Sequence, residues 1–249
     1  MSIADKLSII AENEQKVYDA GETAGIKQGK QTQKSNFEKA YSSWNSQTAC
    51  DYFFAGKGWN NDSFYVSCNL KPTRAQGMFA MSGISGDLAD MCEKRGINID
   101  FSNCKLFANF SSNANSITRF GILDISKATD NISFAYNRAL VTIDKLIVSA
   151  STKYSPYAFE ECTKLVNLIV EGVIAKANFN VQWCTKLSKA SIESIINCLS
   201  STTSGLSVTL SLTAVKKAFE TSSGANDGNT SEEWLNLIAT KQNWTISLK

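Results

Sequence analysis

A motif of regularly spaced apolar residues recurs through the middle of the chain and constrains its fold more than any other feature. The clearest copy consists of one aromatic residue, one small residue and three aliphatic residues: Phe159, Cys162, Leu165, Leu168 and Val170. Further copies begin at Phe134 and Val181, and looser ones begin at Phe110 and Phe79. The motif therefore recurs about every 22 to 25 residues, after one longer first unit. Because no unit this short buries its own apolar face, neighbouring units must stack.

The tetrapeptide CTKL occurs twice, and its cysteines Cys162 and Cys184 occupy the same place in two successive motifs. Two interpretations compete, since repeated thiols could do chemistry or could fill a core. Asn137 holds the equivalent place one motif earlier, which thiol chemistry would not tolerate. A small inward-facing residue suits a turn there, because Asn satisfies backbone groups and Cys fills space at low polar cost. We therefore expect both cysteines to be buried, unpaired and stacked on adjacent turns.

The repeat length is typical of a leucine-rich repeat, in which each unit supplies a short strand and a turn-like return. The predicted fold is α+β: an irregular leucine-rich-repeat solenoid with an N-terminal helix and an α/β C-terminal cap. Its predicted parts are a helical anchor over 1–40, an aromatic N-terminal cap over 41–76, repeats over 77–190 and the C-terminal cap over 191–249.

The first forty residues carry a narrow apolar seam and a glycine series at four-residue spacing. A helix with so narrow a seam needs partners, as in a short coiled coil. The glycines indicate either a smooth ridge for close helix contact or a broken helix leading into a linker. The candidate oligomerisation residues are Ile3, Leu7, Ile10, Val17, Gly21, Gly25 and Gly29.

The stretch from Trp44 to Leu70 is dense in aromatic residues and contains the strand candidate SFYVSCNL. It could form a sugar-binding surface or cap one end of the stack, and the cap is favoured because terminal units of repeat proteins are atypical. Towards the C-terminus, SIESIINCLSS and TAVKKAFE are predicted helices, whereas LSVTLSL and NWTISL are predicted strands. Thr230 or Ser231 is the expected N-cap of a further helix.

Composition excludes several function classes. The chain has 249 residues, no histidine and a net charge of +2. Serine or cysteine triads that use histidine are therefore excluded, and a broad nucleic-acid surface is not supported. The seven cysteines include no C-x-x-C pair, so neither a metal site nor a cofactor is expected. A non-enzyme without a signal peptide or membrane span is expected, and a glycan hydrolase using paired carboxylates has no motif in its favour.

Several segments together resemble the BspA-type leucine-rich-repeat proteins, and more closely the version encoded near tail genes of phages and prophages of Firmicutes. They are ENEQKVYDAGETAG, YFFAGKGWNNDSF, LKPTRAQGMFAMSGI, FEECTKLVNLIVEG and CTKLSKASIESIINCL. The resemblance implies a non-enzymatic virion protein at a tail fibre or baseplate, made in the bacterial host cytoplasm, with a host-recognition role. It would contact other virion proteins through its N-terminal helix, form homo-oligomers and bind a host protein or glycan. The alternatives are a decoration or connector protein that binds only phage proteins, and a bacterial surface adhesin.

Polar residues that flank the predicted strands are the candidate binding residues. Outward positions on successive stacked strands form a stripe, although most exposed polar side chains have no partner. The candidates come from three successive units: Arg119 and Asp124, Thr142 and Asp144, and Asn167 and Glu171.

Overall fold

A computed structural model describes residues 68–81, 84–94, 96–222, 224 and 227–249. The oligomerisation residues predicted in 1–40 and most of the aromatic segment 41–76 lie outside this described part. In the described residues, none of the helices is long and apolar enough to cross a membrane.

Eleven strands and four α-helices follow one another in the described residues. The strands are β1 (Cys68–Leu70), β2 (Gly86–Asp87), β3 (Ile97–Ile99), β4 (Ile117–Asp124), β5 (Asn131–Ile132), β6 (Thr142–Val148), β7 (Lys153–Tyr154), β8 (Asn167–Gly172), β9 (Phe179–Val181), β10 (Leu206–Leu210) and β11 (Trp244–Leu248). The helices are α1 (Leu88–Lys94), α2 (Lys189–Cys198), α3 (Leu212–Ala218) and α4 (Glu232–Ala239), and a single 3-10 turn spans Gly228–Thr230.

Parallel pairing joins these strands into four sheets within the described residues. The largest sheet has the order β2-β4-β6-β8, and a second has the order β9-β10-β11. The pairs β1-β3 and β5-β7 form two small sheets. An isolated antiparallel bridge joins Ala108 to Ile132 of β5.

The prediction of an irregular leucine-rich-repeat solenoid with an N-terminal helix and an α/β C-terminal cap is wrong. The structure is an α+β fold of mostly parallel strands divided among four sheets. The motif that begins at Val181 shows the reason, because helix α2 stands where that motif would place its strand and the largest sheet ends at β8. Periodic apolar residues record which side chains face inward, but they do not determine how strands are shared among sheets.

Phenylalanine rings form the centre of the core. Phe79, Phe110, Phe134, Phe159 and Phe179 follow one another with ring centroids 5.2, 6.1, 5.3 and 5.7 Å apart. All five are buried, and their backbones are linked between units, as where Phe79 N donates to Phe110 O at 2.8 Å. The first residues of four motifs, together with Phe179 just before the motif that begins at Val181, therefore supply ring contacts between successive turns.

The small residue of the motif lies inside the stack, as predicted. Asn137, Cys162 and Cys184 are fully buried, and both cysteines are free. Asn137 Nδ2 donates to Phe134 O at 2.6 Å, and Cys162 Sγ donates to the same carbonyl at 3.2 Å. Burial raises the pKa of the Cys162 thiol to about 12, so the thiolate that would react is scarce at neutral pH. The expectation of buried, unpaired cysteines is confirmed, and this environment favours packing over chemistry.

Helix α2 covers the edge of the largest sheet with serine hydroxyls. Ser191 Oγ accepts from Leu168 N at 2.9 Å and donates to Val166 O. Ser194 Oγ accepts from Val170 N at 3.1 Å and donates to Ser191 O of its own helix at 2.8 Å. The hydroxyls thus replace the missing neighbouring strand and satisfy backbone groups that an open edge would leave exposed.

The C-terminal elements follow the sequence predictions. Strands β10 and β11 lie within the stretches predicted to form them, and helices α2 and α3 overlap their predicted stretches but begin two residues and one residue earlier. Ser231, one of the two predicted N-caps, accepts from Trp234 N at 3.2 Å and begins α4. One hydrophobic cluster extends from Leu70 to Trp244, so these elements share the core of the stacked turns.

Candidate binding site

The predicted binding residues lie in two rows across the outer face of the largest sheet. Arg119, Thr142 and Asn167 are direct partners in the parallel ladders of β4, β6 and β8. Asp124 and Glu171 belong to a second row and flank Ile147. The parallel register of the three strands therefore brings side chains that are 23 to 25 residues apart onto one surface.

Arg119 is the centre of an ion-pair network on this face. Its Nε and Nη2 atoms donate to the two carboxylate oxygens of Asp144 at 2.8 and 2.6 Å, a bidentate arrangement. Its Nη1 atom donates to Asp87 at 2.8 Å. Asp87 also accepts from Asp90 N at 2.9 Å and so caps helix α1. The network attaches α1 to the sheet and fixes the orientation of three charged side chains.

Hydrogen bonding controls the protonation of this network. Burial by itself would raise the pKa of Asp87, but the bond from Asp90 N and the Arg119 guanidinium hold that pKa below its ordinary value of 3.8. The Asp144 and Asp87 carboxylates raise the pKa of Arg119 in turn. Both charges are therefore favoured at neutral pH.

Asp87→Asn should remove a stabilisation that depends on pH. A carboxylate whose pKa is depressed by folding stabilises the protein above its unfolded pKa, and this contribution is lost as the pH falls through the folded pKa. Asn keeps the helix cap but not the charge. We expect the difference in free energy of unfolding between wild type and variant to be present at neutral pH and to shrink below 3.8. Urea titrations across that range measure it, and a difference independent of pH would contradict the assignment.

A cleft of about 640 Å³ opens beside this network, between α1, β3 and the outer face of β4. Its lining includes Gly121, Ile122 and Ile147, called here the apolar floor, and Ile122 is 62% exposed. A Cβ atom on Gly121 would lie 3.2 Å from the Ala89 side chain, so glycine permits the close approach of α1 to β4. An exposed aliphatic side chain that lines a cleft can contact a ligand directly.

Polar groups surround the apolar floor. The charged side chains that line the cleft in the described part of the chain are all acidic: Glu93, Asp100 and Asp124. Asp100 accepts from Ser102 N and Asp124 accepts from Ser126 N, each at 3.0 Å. The Ser102 side chain and backbone hydrogen bonds lower the pKa of Asp100. These local bonds hold two of the carboxylates in place before any ligand arrives.

Sequence reasoning found the polar rows but missed the cleft. Ile122 was overlooked because it is apolar, although the inward-facing Phe120 and Leu123 leave it on the outer side. Asp87 was also missed, since the stretch GDLADMCEKRG predicts a helix but not the strand beside which it lies. Lys145 pairs with Glu171 at 2.6 Å, which places a cation between the two rows.

Across the described residues, no group of three or more His, Cys, Asp or Glu side chains could hold a metal ion. A scan against family models finds no match for the chain, and neither do searches of the curated proteins and of the solved structures.

Proposed function

We propose that the chain is a non-enzymatic recognition protein of a phage virion, which binds a host-surface ligand over the outer face of the largest sheet. The observation that carries this proposal is the 62% exposure of Ile122 within a cleft of about 640 Å³. Apolar contact in a concave site supplies binding free energy, and a few placed polar groups supply specificity. Arg119, Asp87 and Asp144 are held by mutual bonds, so little conformational freedom is lost on binding.

The virion location rests on the family resemblance in the sequence. Residues 1–40 are proposed to attach the chain to other virion proteins and to form homo-oligomers. Several copies on one particle would convert weak single contacts into strong overall attachment. A shallow polar surface with one apolar contact is compatible with such weak individual binding.

Ile122→Asp tests the site directly. It replaces the apolar floor with a fourth carboxylate beside Glu93, Asp100 and Asp124, and the side chain is exposed enough for folding to be preserved. The probe is the fluorescently labelled full chain, mixed with cell envelopes from a panel of Firmicutes strains. We expect the variant to lose at least about tenfold in affinity, which corresponds to the roughly 1.5 kcal/mol that burial of one aliphatic side chain contributes.

Leu235→Asp is the matched control, because Leu235 is 50% exposed on α4 and does not line the cleft. It should bind as the wild type does. Equal binding by Ile122→Asp would show that the cleft is not the site. Binding to virion proteins without binding to any envelope would favour a connector and overturn host recognition.

A further inference from the structure

Three aromatic side chains, one exposed and two half-buried, lie on the turns that precede β6, β8 and α2. Tyr136, Tyr157 and Trp183 occupy three successive turns, and Tyr157 is 57% exposed. The Tyr157 and Trp183 rings approach to 6.2 Å between centroids, with their planes inclined at 51°. None of these residues lines the cleft beside α1. They form a separate surface, called here the aromatic turn surface.

Backbone bonds between the turns hold this surface in place. Tyr136 N donates to Glu160 O at 2.7 Å, and Glu160 N donates to Tyr157 O at 3.0 Å. Asn180 Nδ2 donates to Pro156 O at 3.2 Å and ties the third turn to the second. The rings are therefore mounted on an ordered backbone, which reduces the loss of freedom on binding.

Tyr136 and Glu161 adopt the backbone conformation of the repeated turn. Tyr136 has φ of 64° and Glu161 has φ of 58°, in the left-handed region that favours glycine, asparagine or aspartate. Each follows the first phenylalanine of its motif by two residues, and Met81 holds the same place after Phe79 with φ of 50°. The turn therefore fixes the backbone from which the Tyr136 ring and the Glu161 carboxylate extend.

Polar groups accompany the rings. The Arg138 guanidinium lies 5.8 Å from the centre of the Tyr136 ring and pairs with Glu161 at 3.4 Å. The Tyr136 hydroxyl hydrogen-bonds to Glu160, which raises the pKa of Tyr136. Hydrogen-bond donors and acceptors thus lie beside the Tyr136 ring.

We propose that the aromatic turn surface binds a glycan through one or more of its pyranose rings. A pyranose presents an apolar face of C–H groups that packs on an aromatic ring, and its hydroxyls both donate and accept. Tyr157 and Trp183 supply the ring faces, whereas Arg138 donates and Glu161 accepts. The surface is open and carries the charged side chains of Arg138 and Glu161. It therefore suits a hydrated sugar better than a protein partner, whose interface centre is desolvated and depleted of charge. The proposal does not rest on ligand binding in the cleft.

A glycan array tests the proposal with the full-length chain. The array carries oligosaccharides of hexoses and N-acetylhexosamines, from one to six units long, together with muropeptide glycans. We expect at least one of these glycans to be retained. Tyr157→Ala should reduce its affinity at least tenfold in a calorimetric titration, while Trp183→Phe, which keeps an aromatic ring, should retain most of it.

Two further variants separate this site from the cleft. Ile122→Asp should bind the retained glycan as the wild type does, whatever its effect on envelope binding. Leu235→Ala, an exposed apolar change elsewhere, should also leave glycan binding unaltered. Failure of the wild type to retain any arrayed glycan, or equal retention by Tyr157→Ala, would overturn the proposal. Loss of glycan binding in Ile122→Asp alone would move the glycan to the cleft and overturn it too.

Discussion

Phe110→Ala is expected to lower the free energy of unfolding by about 3–5 kcal/mol, because removal of a buried aromatic ring costs its transfer free energy and leaves a cavity. Phe110 is fully buried. Its ring contacts five other aromatic rings at centroid distances of 5.2 to 6.1 Å: those of Phe79, Phe101, Phe107, Phe120 and Phe134. So many rigid neighbours cannot all move to fill the space, so we expect the loss of unfolding free energy to lie towards the upper end of this range.

Urea denaturation followed by circular dichroism measures this loss. Tyr157→Ala is the control, since it also deletes a ring but from a side chain that is 57% exposed, and it should change stability by less than about 1 kcal/mol. A loss below about 2 kcal/mol in Phe110→Ala would mean that the ring cluster is not the main support of the stack.

The double variant Ser191→Ala, Ser194→Ala has the second largest expected effect. It leaves Leu168 N and Val170 N of the edge strand without their acceptors. A buried donor without a partner costs about 1–3 kcal/mol, so a combined loss of about 2–5 kcal/mol is expected. The methyl groups fill nearly the same space, so packing of the apolar side of the helix should change little.

Asn197→Ala, an exposed substitution on the same helix, serves as the control and should shift stability by at most about 0.5 kcal/mol. A second readout is association, because an uncovered strand edge can pair with another chain. The apparent molar mass from light scattering should therefore rise with concentration above the wild-type value for the double variant but not for Asn197→Ala. Wild-type stability in the double variant would show that water satisfies these strand groups as well as the serines do.

The repeat motif explains which parts of the fold could be predicted. Its first apolar residue and its small residue are buried in the three clear copies, which begin at Phe134, Phe159 and Val181, so the burial of Cys162 and Cys184 could be predicted from the motif. The division of the strands among sheets could not be predicted, because the apolar spacing is the same whether the next element beside β8 is a strand or a helix. In the sequence, Ser191 and Ser194 look like ordinary polar positions of a helix. Only the structure shows that their hydroxyls accept hydrogen bonds from the edge strand.

For the candidate site as well, the motif predicts some residues and only the tertiary contacts reveal the others. Arg119, Thr142 and Asn167 could be placed in one row because register follows the motif from unit to unit. Asp87 and Ile122 could not be assigned to the site, since the position of α1 depends on contacts between segments that share no period. The exposure of Ile122 results from that packing, and an isoleucine in the sequence does not by itself indicate an exposed position.

Because α2 covers the edge of β8, additional units can be inserted in the interior of the chain but not directly after β8. The serines fit one particular strand edge, so a duplicated unit placed after β8 would lose that fit. A duplicated unit of about 24 residues placed between Phe110 and Phe134 would preserve both the aromatic succession and the serine contacts. Length variation among descendants of this sequence, and successful lengthening by engineering, should therefore concentrate in the interior of the chain.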